Sequence, residues 1–178
     1  DLCFVFSVRG DEAKFAIVDN LTEGMLGVVR LTRDDPRNLT ISLELPIVTP
    51  LNEGTVESIE GCFLLLDRLF AHGYRRVQLS VDSMDTVGKK LCGRLGFTQE
   101  GTICKDRIVK ESNRDSIVYG LLNSDWDKGA RAFLFKKLHG DKAMKLDKEN
   151  NDKEEELEVQ NKFLADKKAK AEKEAKKA

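Results

Sequence analysis

The side chains able to attack, ligate or move protons are few, and most lack recognisable company. Cys3, Cys62, Cys92 and Cys104 are widely spaced, with no C-x-x-C pair and no metal-ligand spacing. Neither His72 nor His139 has a catalytic context beside it, so nothing points to a thiol nucleophile or a metal centre. The chain's carboxylates, Glu44 and Glu53 among them, can accept a proton, and tyrosines such as Tyr119 can donate one. Leu51-Asn52-Glu53-Gly54-Thr55-Val56 reads as a helix start, whose first N–H groups can hold an anion. Taken alone, surface glutamates, a tyrosine packed in a sheet and an ordinary helix start account for these residues equally well. Arg114-Asp115 reads first as an ion pair fixing a hairpin and second as an acceptor-binding pair.

The elements that must position these groups follow from periodicity. Leu2 to Val8 and Phe15 to Val18 are short strands. The turn-rich Asp19 to Gly24 returns the chain antiparallel as Met25 to Thr32. After the turn Arg33 to Asn38, a strand runs from Leu39 to Val48, interrupted by Pro46. A proline cannot donate to a ladder, so it marks an edge, a bulge or a splay. An amphipathic helix covers Val56 to Ala71, with Ile59, Phe63, Leu66, Leu69 and Phe70 on its apolar set and Gly73 ending it. Arg75 to Val81 is a strand, Asp85 to Leu95 a helix stopped by Gly96, and Phe97–Val109 with Asp115–Leu122 a closing antiparallel pair. Trp126 seals the core edge. Strands, helix, strand, helix, strands make an α/β fold with a mixed sheet.

The chain has 178 residues, 40% hydrophobic and 34% charged, with net charge −1 and mean hydropathy −0.41. That excludes a global bias toward nucleic acid or anionic lipid, and no apolar run reaches the roughly 20 residues of a membrane span. Free thiols fit a reducing compartment, the cytoplasm. Asp1-Leu2-Cys3-Phe4 has neither an initiator Met nor a signal pattern and reads as a fragment boundary. Composition breaks near Leu138-His139-Gly140. Residues 1–138 form the globular domain, and 139–178 a charged, partly helical or disordered tail with pairs such as Glu172/Lys176. Only the tail's last dozen or so residues are net basic, which leaves ribosome or RNA contact as the minor reading.

The order of elements, together with Arg94-Leu95-Gly96-Phe97-Thr98-Gln99-Glu100-Gly101 and Val109 to Ser116, resembles the GNAT N-acetyltransferase superfamily. Within it the chain resembles the RimJ/RimL-like branch of ribosomal-protein alanine acetyltransferases. The resemblance covers roughly Phe15 to Leu138 and implies a GNAT fold, entered late, without the family's first strand and paired helices. It also implies an acetyl-CoA co-substrate, a primary amine acceptor (a protein N-terminal α-amine or a small amine) and direct attack without an acyl-enzyme. By the same resemblance, the pantetheine arm lies where two parallel strands splay, here Leu43–Thr49 and Arg75–Val81, as an added strand would. Ile47, Val48 and Thr49 would line it, with the N–H of Ile47 or Val48 stabilising the oxyanion. Asn52, Glu53, Gly54, Thr55 and Val56 would hold the pyrophosphate. Glu44 would be the base, Glu53 the second candidate, and Tyr119 the acid.

The chain departs from the family pattern in two places. Gly54 is the only glycine of the phosphate loop, beside the acidic Glu53. Asp85-Thr86-Val87-Gly88 stands where the family has Asn-x-x-Ser, placing Asp85 and Gly88 at the cofactor. The alternative implied is a degenerate GNAT domain that binds or regulates without catalysis.

Overall fold

Alternating apolar and polar residues build a sheet of eight strands among the described residues, and two amphipathic helices cover one side of it. The computed structural model describes residues 2–9 (by backbone), 12–19, 22–50 and 55–140. The strands are β1 (Leu2–Arg9), β2 (Glu12–Asp19), β3 (Met25–Asp35), β4 (Thr40–Leu43), β5 (Ile47–Val48), β6 (Arg76–Asp82), β7 (Thr98–Val109) and β8 (Ser112–Leu122). The helices are α1 (Val56–Ala71) and α2 (Thr86–Arg94). Residues 123–140 are helical, broken at Gly129. Two compact units, Asp1–Leu138 and His139–Ala178, divide the chain. The helical tail expected over 139–178 lies outside the described residues apart from His139 and Gly140.

The sheet runs β1-β2-β3-β4-β6-β8-β7, with β5 on β3. Every pairing is antiparallel except β4 with β6. On β6 the odd positions Val77, Leu79 and Val81 are buried and face α1 and α2, sharing that core with Leu43, Phe63, Leu66, Leu95 and Leu121. The even positions Gln78, Ser80 and Asp82 face the other side, which carries no helix among the described residues.

Both helices stop where glycine permits positive φ. Gly73 (φ 89) follows α1, and Tyr74 N donates back to Leu69 O at 3.2 Å; Gly96 (φ 83) follows α2. Trp126, 2% exposed, seals the core edge as expected, its ring 5.6 Å from Phe63 and 5.3 Å from Phe70. Asp67 of α1 binds this segment, accepting from Trp126 Nε1 at 3.3 Å and Arg131 Nε at 2.7 Å.

The Arg114-Asp115 expectation is corrected. Neighbours on a strand point to opposite faces, so the two do not pair with each other. Arg114 lies 3.5 Å from Asp82, and Asp115 accepts from Lys105 N at 2.8 Å.

Cys62 of α1 and Cys92 of α2 are buried in the shared core, and burial pushes each thiol up to about 12. The ordinary value is 9.0, so between these values the unfolded chain loses protons that the native chain keeps. Stability is therefore whole below about pH 9 and falls as pH rises toward 12, by at most about 1.4 kcal/mol per pH unit for fully buried Cys62. Urea denaturation should show a lower midpoint at pH 10.5 than at pH 8. Cys62→Val should lose less between the two, and an equal loss would remove this thiol as the cause.

Candidate active site

The site begins with a strand that leaves its neighbour. β4 pairs with β6 only at Thr40↔Arg76, Ile41↔Val77 and Ser42↔Gln78. The single strand expected over Leu39 to Val48 is instead two, because Leu45-Pro46 inserts an extra residue. Glu44 N still donates to Arg30 O at 2.9 Å, but beyond the insertion Ile47 and Val48 pair with Val28 and Gly27 of β3. Proline cannot donate, so a bulge forms, and a bulge bends its strand. The chain stays with β3, and a gap opens against β6.

Gly27 permits this course. A Cβ there would lie 2.6 Å from Val48 Cγ1 and 2.7 Å from Ile47 O, distances that real side chains do not adopt. Thr49 N donates to Leu26 O at 3.1 Å, so it points at β3. Backbone alternation then directs the N–H of Val48 into the gap.

Two cavities meet at the gap. One, of about 720 Å³, includes Arg30, Ser42, Glu44, Gln78, Ser80 and Asp82 in its lining and lies on the helix-free face. The other, of about 260 Å³, lies between Pro46, Val48 and Ser58 on one side and Val87, Gly88 and Lys90 of α2 on the other. Leu45 and Asp85 line both, so the gap joins the two faces of the sheet.

Glu44 stands at the gap on the groove side, ion-paired with Arg30. Arg30 Nε is buried without an acceptor among the described residues. Ile47, 64% exposed, lines the larger cavity, and Val48 the smaller. Asp85 caps α2, its Oδ1 accepting from Gly88 N at 2.8 Å. Gly88 is buried where a Cβ would come within 2.6 Å of Leu45 Cδ1, so α2 abuts the gap through backbone. Thr55 precedes α1 in extended conformation, its backbone O accepting from Ser58 Oγ at 2.9 Å, and Val56 is exposed. Asn52, Glu53 and Gly54 lie outside the described residues.

Tyr119 is not brought to the site. It is 7% exposed, faces Leu79 across the ladder and lines neither cavity. Burial, then the nearby Cys92, raises its phenol above the ordinary value, which opposes ionisation and suits a core residue. The odd positions of β8 share the covered face with Val77 and Leu79, and that fact decides its place.

Ser42, Gln78, Ser80 and Asp82 also line the groove, though no motif in the sequence marked them. A signal short of a motif was present: polar residues at every second position of β6 marked a face that meets water or a ligand. Gln78 Nε2 donates to Ser42 Oγ at 3.0 Å across the last rung before the gap. The described residues hold no group of His, Cys, Asp or Glu fit for a metal ion, and no helix long and apolar enough to cross a membrane.

A mixed sheet with one parallel pair that parts at a bulge, crossed by α1 and α2 on one face, is the fold of the GNAT acetyltransferases. Solved structures with this fold include an acetyltransferase at 25% identity and TM-score 0.68, matched over 74% of this chain and 67% of that one. A GNAT-family acetyltransferase from Chromobacterium violaceum matches at 28% identity and TM-score 0.61, over 67% of this chain and 63% of that one. A GCN5-related N-acetyltransferase from Brucella melitensis matches at 28% identity and TM-score 0.64, over 70% and 58%. The chain thus spans 58% to 67% of the length of these three. The spermidine/spermine N-acetyltransferase SpeG from Vibrio cholerae, at 18% identity and TM-score 0.61, shares the fold. No family model and no curated protein matches the chain.

Proposed function

We propose that residues 1–138 are an N-acetyltransferase domain that moves an acetyl group from acetyl-CoA to a primary amine. The observation that carries this reading is the β4–β6 gap, whose two cavities share Leu45 and Asp85. The residues present fit an acyl-CoA: an unpaired strand edge at Val48, a narrow apolar slot beside Leu45 and Leu91, and helix starts at Thr55 and Asp85. The thioester supplies an activated acetyl carbon.

The chain's own residues divide the remaining work. The Val48 backbone, turned into the gap, aligns an extended ligand with its N–H toward an acyl oxygen, while Ile47 and Thr49 keep their backbone groups on β3. The segment Asn52 to Val56, which leads into α1, takes phosphate. Glu44, at the gap mouth with Arg30 holding its carboxylate, receives the proton of the attacking amine. With Tyr119 in the core, solvent at the larger cavity delivers the thiolate's proton.

The neighbours are acetyltransferases, and one is described as acting on spermidine and spermine. For this chain the acceptor class is a small amine or a protein N-terminal α-amine, as in the RimJ/RimL-like branch, and the place of action is the cytoplasm. The tail's basic end would serve any ribosome contact.

Asp85 favours a second reading, since its carboxylate borders the smaller cavity where a polyanionic cofactor would lie. A degenerate domain that binds or regulates would result. Titration calorimetry of the chain with acetyl-CoA at neutral pH separates the two: saturable heat supports the enzyme, and silence at millimolar ligand supports degeneration.

A further inference from the structure

Two charged groups that line the larger cavity have no ion-pair partner among the described residues. Most of the charged groups on its wall are paired: Arg30 with Glu44, Arg107 with Asp106 at 3.5 Å, and Asp82 with Arg114 at 3.5 Å. Among the described residues, that leaves Asp85 beside the gap and Arg33 at the far end without an ion-pair partner.

Arg33 is there for a structural reason. Thr32 faces the groove with its ladder partner Ser42, so strict alternation would send Arg33 to the helix-covered face. Instead the register shifts between Thr32 and Asp35, and Arg33 adopts φ 52, a left-handed conformation uncommon for a residue with a Cβ. Asp34 takes the covered direction and accepts from Tyr74 OH at 2.9 Å, while Arg33 joins the groove lining. The bulge redirects a cation into a cavity whose floor is neutral and polar, made of Thr32, Ser42, Gln78 and Ser80.

We propose that Arg33 is a specificity-determining residue that anchors a carboxylate at the far end of the acceptor, so that the preferred acceptor is an elongated amino carboxylate rather than a diamine. This rests on the acetyl-transfer reading. Three positions along β3 separate the Arg30–Glu44 pair from Arg33, about 10 Å at roughly 3.3 Å per residue. An amine drawn to Glu44 and Asp85 therefore has its anionic end within reach of the Arg33 guanidinium, and a planar fork of donors suits a carboxylate. A second cation there would meet like charge, which costs affinity.

The test is direct binding, followed by turnover. Full chain is titrated with 6-aminohexanoate and with 1,6-diaminohexane, with and without acetyl-CoA. The expected result is about tenfold tighter binding of the amino carboxylate, the scale of one charge-assisted contact. Arg33→Gln should abolish that preference, whereas Arg37→Gln, an exposed position outside the cavity, should keep it. In acetyl transfer, Arg33→Gln should raise KM for 6-aminohexanoate about tenfold with kcat unchanged. Equal or tighter binding of the diamine, a preference that survives Arg33→Gln, or no binding of either probe would overturn the proposal. Failure of acetyl-CoA to bind would overturn the acetyl-transfer reading instead, and the acceptor titrations would still give their answer.

Discussion

Glu44→Gln is expected to lower kcat for acetyl transfer by roughly 10²–10⁴-fold, the range for loss of a positioned general base, while acetyl-CoA affinity stays within about threefold. The substitution preserves shape and leaves an oxygen to accept from Arg30, whose guanidinium pairs with Glu44 in the native protein. It removes the negative charge and, with it, the ability to take a proton. Glu44 also lies on the groove side of the gap, away from the smaller cavity between Pro46 and Gly88. Steady-state kinetics beside calorimetry separate the two effects. An unchanged kcat would strike Glu44 from the mechanism and shift attention to Asp82 and Asp85, carboxylates that also line the groove.

The second large effect is expected at Gly27, which has no titratable group of its own. Gly27→Val places a branched side chain where a Cβ alone would sit 2.7 Å from Ile47 O. Flexible side chains could yield, but here the obstacle is backbone, so β5 must move away from β3. Overpacking of this kind costs about 1–3 kcal/mol. Displacing β5 toward β6 also narrows the gap, so acetyl-CoA affinity should fall at least tenfold even in the folded fraction. Thermal melts and calorimetry check both parts. Gly93→Ala is the control: Gly93 is an exposed position of α2 with nothing within 4 Å of an added Cβ. It should gain about 0.5–1 kcal/mol from helix propensity and bind as the native chain does. Native-like affinity in Gly27→Val would show that the gap does not depend on how β5 is seated.

Much of the architecture was legible because it rests on local rules. Period-two alternation gave β6 and β8, an apolar stripe at helical spacing gave α1, and glycines at 73 and 96 ended both helices where the chain needs positive φ. Pro46 announced a disturbance in its strand for an equally local reason, the missing N–H.

The rest was not local. Whether Pro46 produced an edge, a bulge or a splay depended on Gly27, which is distant in sequence and admits Ile47 and Val48 beside β3. Tyr119 looked like an acid until pairing with Leu79 put it on the covered face. Asp82 and Arg114, distant in sequence, became partners only when β6 and β8 lay side by side. Arg33 was read as part of a turn, and its place in the cavity follows from a register shift that no run of residue types announces. The sequence by itself determined which segments are strands and helices and which faces are apolar, because those depend on neighbours a few residues apart. Only the tertiary structure decided which polar groups share a cavity, because that depends on register between strands, where one residue of slip turns a side chain to the opposite face.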